Sequence, residues 1–421
     1  MSRGISIFGI ILLWVTVAVA ETREDRLKKF PILEPARQMV EQVLVPQGEL
    51  KNAAVLDVMK RVPRHRFVTP VHQPAAYWDQ ALSIGNAQTI SPPYIVAYMT
   101  EQIDPKPKDK ILEIGTGSGY QAAVLSLLAD QVYTIEIVEP LGKQAEKLLQ
   151  QLGMDNVHVR IGDGYKGWVE AAPFDSIIVT CSPEAVPQPL IDQLKEGGRM
   201  IIPVGERYQQ AFYLGKKVNG KLELERLKQT LFVPMTGEAE EKRSLKPDAA
   251  KPALINGNFQ EIEKDGSPVH WHYARNVIVL KGERNEPNVA RFTRKRLDRT
   301  EKPQESAISQ MLQGFAMDGK SVSTLHIGYW IRGEKVTALQ GPVMTPSASL
   351  ALYDEDRNQI DEIPLGRCTS TFGWQHVSRS VRIKPETCEA VLIMGLLVAT
   401  GQIDIRDVEV KPDQVTPPQS Q

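Results

Sequence analysis

The segment Lys110–Leu128 constrains this chain more than any other. A short apolar run, Lys110-Ile-Leu-Glu-Ile-Gly115, leads directly into Gly115-Thr-Gly117-Ser-Gly119-Tyr120. Gln121-Ala-Ala-Val-Leu-Ser-Leu-Leu128 then has the composition of a helix. Glycine is needed at such a junction because a tight turn demands unusual backbone angles. A ligand can also approach the main chain closely only where no Cβ projects. A strand, a glycine turn and a helix in this order open a βα unit, in which the helix returns over the sheet and the next strand lies parallel.

The segments that follow repeat the pattern. Gln131-Val-Tyr-Thr-Ile-Glu-Ile137, Asn156–Ile161, Phe174–Thr180 and Gly198–Val204 read as short apolar strands, with helical stretches between them at Leu141–Leu152 and Pro187–Leu194. The alternation predicts a mostly parallel, Rossmann-like sheet with helices on both faces. Ligands bind beyond the carboxyl ends of the strands in such sheets. Gly115, Thr116, Gly117 and Gly119 sit at such an end and are expected to cradle a nucleotide-like cofactor. Glu136 ends the next strand, about 21 residues beyond Gly115, where a carboxylate suits ribose hydroxyls. Asp163, between Gly162 and Gly164, could accept from an exocyclic amine such as that of adenine; its alternative role is a turn residue.

The turn reads GxGxG rather than the GxGxxG of dinucleotide sites, and no second mononucleotide half is evident. Leu112-Glu-Ile-Gly-Thr-Gly-Ser-Gly-Tyr120 resembles the first motif of class I S-adenosylmethionine-dependent methyltransferases. Val58-Met-Lys-Arg-Val-Pro-Arg-His-Arg-Phe-Val68, Ile84-Gly-Asn-Ala-Gln-Thr-Ile-Ser-Pro-Pro-Tyr94, Gly162-Asp-Gly164, Pro187–Arg199 and Phe232-Val-Pro-Met-Thr236 narrow the resemblance to protein-L-isoaspartate O-methyltransferases, over about Met39 to Thr236. The resemblance implies methyl transfer from S-adenosylmethionine to the α-carboxylate of isoaspartyl residues in damaged proteins or peptides. It maps the family's active-site serine onto Ser91, with Gln88 and Thr89 shaping the substrate pocket. The other reading of Ser91, which precedes Pro92, is a helix cap. Ala87 stands where the family commonly has glycine. Two further functions compete: a scaffold that binds without turnover through its C-terminal domain, and a methyltransferase for another carboxylate.

The N-terminus reads as an export signal. Arg3 precedes the uncharged run Ile5–Val19, Ala18-Val19-Ala20 offers small residues for cleavage, and the chain turns polar at Glu21. About 15 apolar residues fall short of the roughly 20 that span a bilayer. Stable membrane insertion is therefore not expected, and the destination is periplasmic or extracellular; an uncleaved anchor is the alternative. Lys+Arg total 50 against 51 Asp+Glu, which removes the broad positive field of a nucleic-acid binder. Three cysteines cannot build a disulfide scaffold or a four-thiolate zinc site, and no metal site is expected. Cys181 reads as a core thiol, and export permits Cys368 and Cys388 to pair.

The fold class expected is α/β, a Rossmann-like class I methyltransferase domain followed by an all-β jelly-roll or β-sandwich domain. The boundaries are a signal peptide at 1–20, the methyltransferase domain at 21–237, a charged linker at 238–252, the β-domain at 253–411 and a disordered Pro/Gln-rich tail at 412–421. Alternating runs such as Ser323–Ile331 and His376–Ile383 mark the β-domain. Its opening Asn256-Gly-Asn-Phe259 and closing Gly401-Gln-Ile-Asp-Ile-Arg-Asp-Val408 resemble carbohydrate-binding modules, which implies a carbohydrate or surface ligand. Trp271, Tyr273, Trp330 and Trp374 could stack on a sugar or pack in the core. His270 and His272 fall on one face of a strand and are expected to meet solvent.

Overall fold

The structure is a computed structural model and describes residues 22–283, 286–294, 309–338, 345–355, 357–397 and 399–415. The expected signal peptide lies outside the described residues. Among those described, no helix is long and apolar enough to cross a membrane.

The first domain begins with helices α1 (Arg23–Lys29), α2 (Glu34–Gln38) and α3 (Ala53–Met59), then a hairpin, β1 (Leu82–Gly85) and β2 (Gln88–Ile90), and helix α4 (Pro93–Ile103). The βα series runs β3 (Lys110–Ile114), α5 (Tyr120–Ser126), β4 (Gln131–Glu136), α6 (Glu139–Gln151), β5 (Val157–Ile161), β6 (Phe174–Val179), α7 (Gln188–Gln193) and β7 (Leu194–Glu206). A hairpin, β8 (Gln209–Val218) and β9 (Lys221–Thr230), completes the sheet. The strand order is β5-β4-β3-β6-β7-β8-β9, with β3 to β7 parallel and the last two antiparallel. Ile111, Leu112 and Ile114 of β3 are all buried, because helices cover both faces of this central strand. Helix α6 buries Leu141, Ala145 and Leu149, a four-residue spacing that puts them on one face. Arg26 of α1 is buried and donates to the carbonyls of Ser126 and Ala129, at and just beyond the end of α5, and Asn156 Nδ2 donates to the same two carbonyls.

The strand order reverses between β3 and β6. Chains leaving these neighbours cross to opposite sides of the sheet, and a crevice opens at their carboxyl ends.

The second domain holds β10 (His272–Arg275), β11 (Val277–Leu280), β12 (Val289–Arg294), β13 (Gln310–Ala316), β14 (Val322–Ala338), β15 (Thr345–Tyr353), β16 (Gln359–Cys368), β17 (Ser370–Arg382), β18 (Glu389–Gly395) and β19 (Ala399–Gln414). They form two five-stranded antiparallel sheets, β10-β13-β18-β15-β16 and β11-β12-β19-β14-β17. Phe259, Trp271, Phe292, Tyr329, Leu350 and Leu392 fill one core between them, so the domain is a β-sandwich.

Several expectations are corrected here. Pro412–Gln414 are not a disordered tail: they finish β19, pairing with Leu325, Thr324 and Val322. The charged linker at 238–252 is anchored to the first domain. Glu238–Glu241 form a short helix, α8, and buried Arg243 donates to the carbonyls of Gly205 and Ser182. Glu184 accepts from the amides of Ser244 and Leu245. Cys368 and Cys388 form no disulfide. Cys368 pairs with Thr345 at one end of β15, while the Cys388 amide bonds Tyr353 at the other. Eight residue steps at about 3.3 Å separate those ends by roughly 26 Å, far beyond the roughly 7 Å that a disulfide can bridge. His272 does not face solvent; it is fully buried at the domain interface with Nε2 2.8 Å from the Tyr208 carbonyl. His270 is half-buried, with Nδ1 2.8 Å from Gln209 Oε1. Trp271 belongs to the sandwich core and Tyr273 packs against the first domain, leaving only Trp330 and Trp374 of the four aromatics on an outer face.

Candidate active site

The crevice is lined on one side by the glycine turn. Gly115 has φ +95° and Gly117 φ +54°, conformations that a side chain resists. A Cβ on Gly115 would lie 2.5 Å from Thr180 Oγ1, so the position admits no larger residue. Thr180, at the end of β6, holds the turn: its hydroxyl lies 2.9 Å from the Ile114 carbonyl oxygen and 2.7 Å from that of Gly115. Thr116 lines the cleft, but its hydroxyl is engaged with Thr134 at 2.6 Å.

Glu136 closes this side. One carboxylate oxygen accepts from the Gly117 amide at 2.7 Å and the other from the Val138 amide at 2.9 Å. Burial pushes its carboxyl above the usual range, and the amides oppose that shift. Behind it, Glu113 is fully buried. Burial raises it to about 8 against an opposing hydrogen bond from Thr134, with a smaller upward push from the Glu136 charge. Glu113 is thus mostly neutral at pH 7, which keeps a second negative charge from beneath the turn.

The opposite wall is the hairpin β1–β2 and the start of α4. Gly85, Asn86 and Ala87 turn the hairpin with φ of +87°, +51° and +58°. Gln88, Thr89 and Ser91 follow and line the cleft. Ser91 does not cap α4. Pro92 occupies the cap position without a side-chain bond, and the Tyr94 amide is taken by Asp79 Oδ1 at 2.8 Å. The Ser91 hydroxyl has no hydrogen-bond partner among the described residues and borders the cleft. The cleft is open to solvent.

Seven of the residues expected from sequence share this cleft: Gln88, Thr89, Ser91, Gly115, Thr116, Gly117 and Glu136. Two do not line it. Gly119 (φ +91°) starts α5, and a Cβ there would approach Leu149 Cδ1 to 3.2 Å, so this glycine serves the packing of α5 on α6. Asp163 directs both oxygens to main-chain amides, Oδ1 to Tyr165 and Oδ2 to Glu238, each at 2.9 Å. Its neighbour Gly164 lines the cleft instead.

The family model of protein-L-isoaspartate(D-aspartate) O-methyltransferases matches residues 36–240. A protein-L-isoaspartate O-methyltransferase of Opitutus terrae is 54% identical over 239 residues, spanning 56% of this chain and 99% of the relative. One of Picosynechococcus sp. is 48% identical over 209 residues, spanning 50% and 93%. A solved protein-L-isoaspartate O-methyltransferase covers 58% of this chain and 84% of its own at 26% identity and a TM-score of 0.45. The chain belongs to the protein-L-isoaspartate O-methyltransferase family.

Membership in this family makes S-adenosylmethionine the group to test against the cleft, and the residues fit it. The two glycines leave the main chain open to close approach, and Ser118 Oγ is buried at the cleft wall without a partner among the described residues. Each Glu136 oxygen spends one acceptor site on an amide and retains another. Gly115, Gly117, Ser118 and Glu136 would hold the polar parts of the cofactor, and Ile135, Ile137 and Met235 give the cleft apolar surface.

Sequence reasoning assigned no cleft role to Thr180, Ser118 or Val233–Thr236. The last of these carried a signal, since Phe232–Thr236 is one of the family's motifs. Thr180 carried none, because its part depends on β6 lying beside β3. Cys181 also borders the cleft; burial pushes its thiol far up, which leaves it a poor nucleophile.

Proposed function

We propose that this chain is exported and methylates isoaspartyl residues of damaged proteins outside the cytoplasm, with Ser91 orienting the substrate carboxylate. The enzyme activity is that of the family: S-adenosylmethionine-dependent protein-L-isoaspartate O-methyltransferase. The observation that carries the reading is that the glycine turn, Glu136 and Ser91 border one continuous cleft.

When bound, S-adenosylmethionine supplies an electrophilic methyl group on a sulfonium. The rest falls to the chain. A substrate carboxylate is already ionised at neutral pH, so no general base is needed. The task is to hold one carboxylate oxygen in line with the methyl, and positioning alone can supply a large part of the acceleration. Ser91, whose hydroxyl is not engaged elsewhere, donates to the substrate carboxylate. Gln88 and Thr89 form the wall beside it. Glu136 accepts from the cofactor's ribose hydroxyls while fixing the Gly117 amide.

Export is supported by the Arg3, Ile5–Val19 and Ala18–Ala20 pattern. A ligand surface on the C-terminal sandwich is supported by Trp330 and Trp374. Arg406 lies over both rings, at 5.6 and 4.6 Å, and Arg332 over Trp374 at 4.8 Å. A carbohydrate would stack on such rings.

The test is incubation of the mature protein with labelled S-adenosylmethionine and paired aspartyl and isoaspartyl peptides, beside fractionation of the producing cells. Label in the isoaspartyl peptide alone, from a protein cleaved after Ala20, supports the reading. Cofactor binding without label transfer favours the non-catalytic alternative, and retention of the uncleaved protein in the cytoplasm refutes export.

A further inference from the structure

Strand β10 of the C-terminal domain is built into the methyltransferase domain. His272 Nε2 lies 2.8 Å from the Tyr208 carbonyl, and the Tyr273 hydroxyl donates to the Leu231 carbonyl at 2.6 Å while its ring packs against the first domain's core. Tyr273 has φ +49° and His270 φ +70°. Bulky residues adopt such angles only where their surroundings hold them there, and for Tyr273 those surroundings are the other domain.

Arg275 makes a further contact to the first domain. Its guanidinium Nη1 lies 2.8 Å from both the carbonyl oxygen and Oδ2 of Asp79. Asp79 is 6% exposed, and its second oxygen, Oδ1, accepts from the Tyr94 amide at 2.8 Å. Gln47 completes its shell at 3.3 Å. Tyr94, the second residue of α4, lies three positions beyond Ser91. Pro92 cannot offer a side-chain cap. Asp79 supplies it from a distance, and so fixes where the helix starts and where the preceding Ser91 stands.

We propose that Arg275 is a positioning residue for the substrate side of the cleft, acting through Asp79 and the first turn of α4 on Ser91; this rests on the role given to Ser91 above. The C-terminal domain is then part of the catalytic unit and not an independent appendage. Without Arg275, Asp79 is a buried carboxylate that has lost the cation bonded to it. It must bind a proton or move toward water, and either change weakens its hold on the Tyr94 amide. Displacement of an orienting group by about 1 Å can cost on the order of 100-fold in rate.

The experiment uses the full-length protein with Arg275→Gln and Arg275→Lys. Three quantities are measured: kinetics on an isoaspartyl peptide, calorimetric affinity for S-adenosylhomocysteine, and hydrogen exchange of the Tyr94 amide. Arg275→Gln is expected to lower kcat/KM for the peptide by about 10-fold or more, to leave S-adenosylhomocysteine affinity within about twofold and to speed exchange at Tyr94. Arg275→Lys should recover part of the loss. A folded Arg275→Gln protein with wild-type turnover and unchanged protection at Tyr94 overturns the inference. Should that variant not fold, Arg275→Lys decides by the same measurements. A wild-type protein inactive on the peptide would count against the functional reading alone, and exchange at Tyr94 would still decide the coupling.

Discussion

Replacing Ser91 with alanine separates the two roles this residue could have. A serine that caps a helix contributes about 1 kcal/mol, which in a domain of this size is roughly 2–4 °C of melting temperature. The structure leaves little for such a cap to do. Pro93, the first residue of α4, has no amide hydrogen, and the Tyr94 amide is already bonded to Asp79. Ser91→Ala should therefore change the melting temperature by less than about 1 °C. Its effect belongs in turnover, where the loss of an orienting hydroxyl can cost on the order of 100-fold. Gly115, Gly117 and Glu136 sit on the opposite wall, so affinity for S-adenosylhomocysteine should be unchanged. The assay measures thermal unfolding, calorimetric cofactor-product affinity and initial methylation rates on the same two preparations. A drop of several degrees with full turnover by the folded fraction would refute the reasoning and return Ser91 to a structural role.

Three further outcomes follow from the same geometry. Gly115→Ala, whose Cβ would meet Thr180 Oγ1 at 2.5 Å in a backbone with φ +95°, should destabilise the domain by about 1–3 kcal/mol and abolish S-adenosylhomocysteine binding in calorimetry; retained affinity would show that the turn can shift. Ala87→Gly should stabilise by up to about 1 kcal/mol, read as a raised urea midpoint, because alanine at φ +58° carries strain that glycine lacks. Glu113 has a folded pKa of about 8 against an ordinary 4.5, so the folded state keeps a proton that the unfolded chain releases. Its stabilising effect is complete below pH 4.5 and is lost as pH rises toward 8, by up to about 1.4 kcal/mol per pH unit. Glu113→Gln should flatten that slope in urea titrations across this window, and an unchanged slope would assign it to other groups.

What the sequence disclosed depended on how local the cause was. The β3–turn–α5 unit was legible because Gly115 and Gly117 answer to backbone angles set within a few residues. The sandwich was legible from alternation in β14 and β17. The histidine pair was misread because alternation presumes extended backbone throughout. His270 and Tyr273 instead adopt positive φ, which turns His272 into the domain interface. The cysteine pairing failed because a separation of 20 positions does not say that β15 runs between the two. The stretch after Gly237 read as a linker because Leu245 is its single bulky apolar residue, yet Arg243 and Ser244 anchor it through hydrogen bonds to Gly205, Ser182 and Glu184.

The same distinction separates the carboxylates around the cleft. Glu136, Asp163 and Asp79 all follow or precede turns, and all three accept from main-chain amides. A sequence shows only that each is an acid near a loop. The difference lies in which partners arrive from afar. The Glu238 amide reaches Asp163 from 75 positions away, and the Arg275 guanidinium reaches Asp79 from 196. Asp163 is thereby held between two main-chain amides, and Asp79 between the Tyr94 amide and the Arg275 guanidinium. Glu136 takes its amides from Gly117 and Val138, and it alone of the three borders the cleft. A carboxylate oxygen has room for about two acceptor contacts, so Glu136 can hold the glycine turn and still accept from a ligand. Scaffolding and the proposed ligand contact therefore coincide at Glu136, whereas Asp163 and Asp79 lie outside the cleft lining.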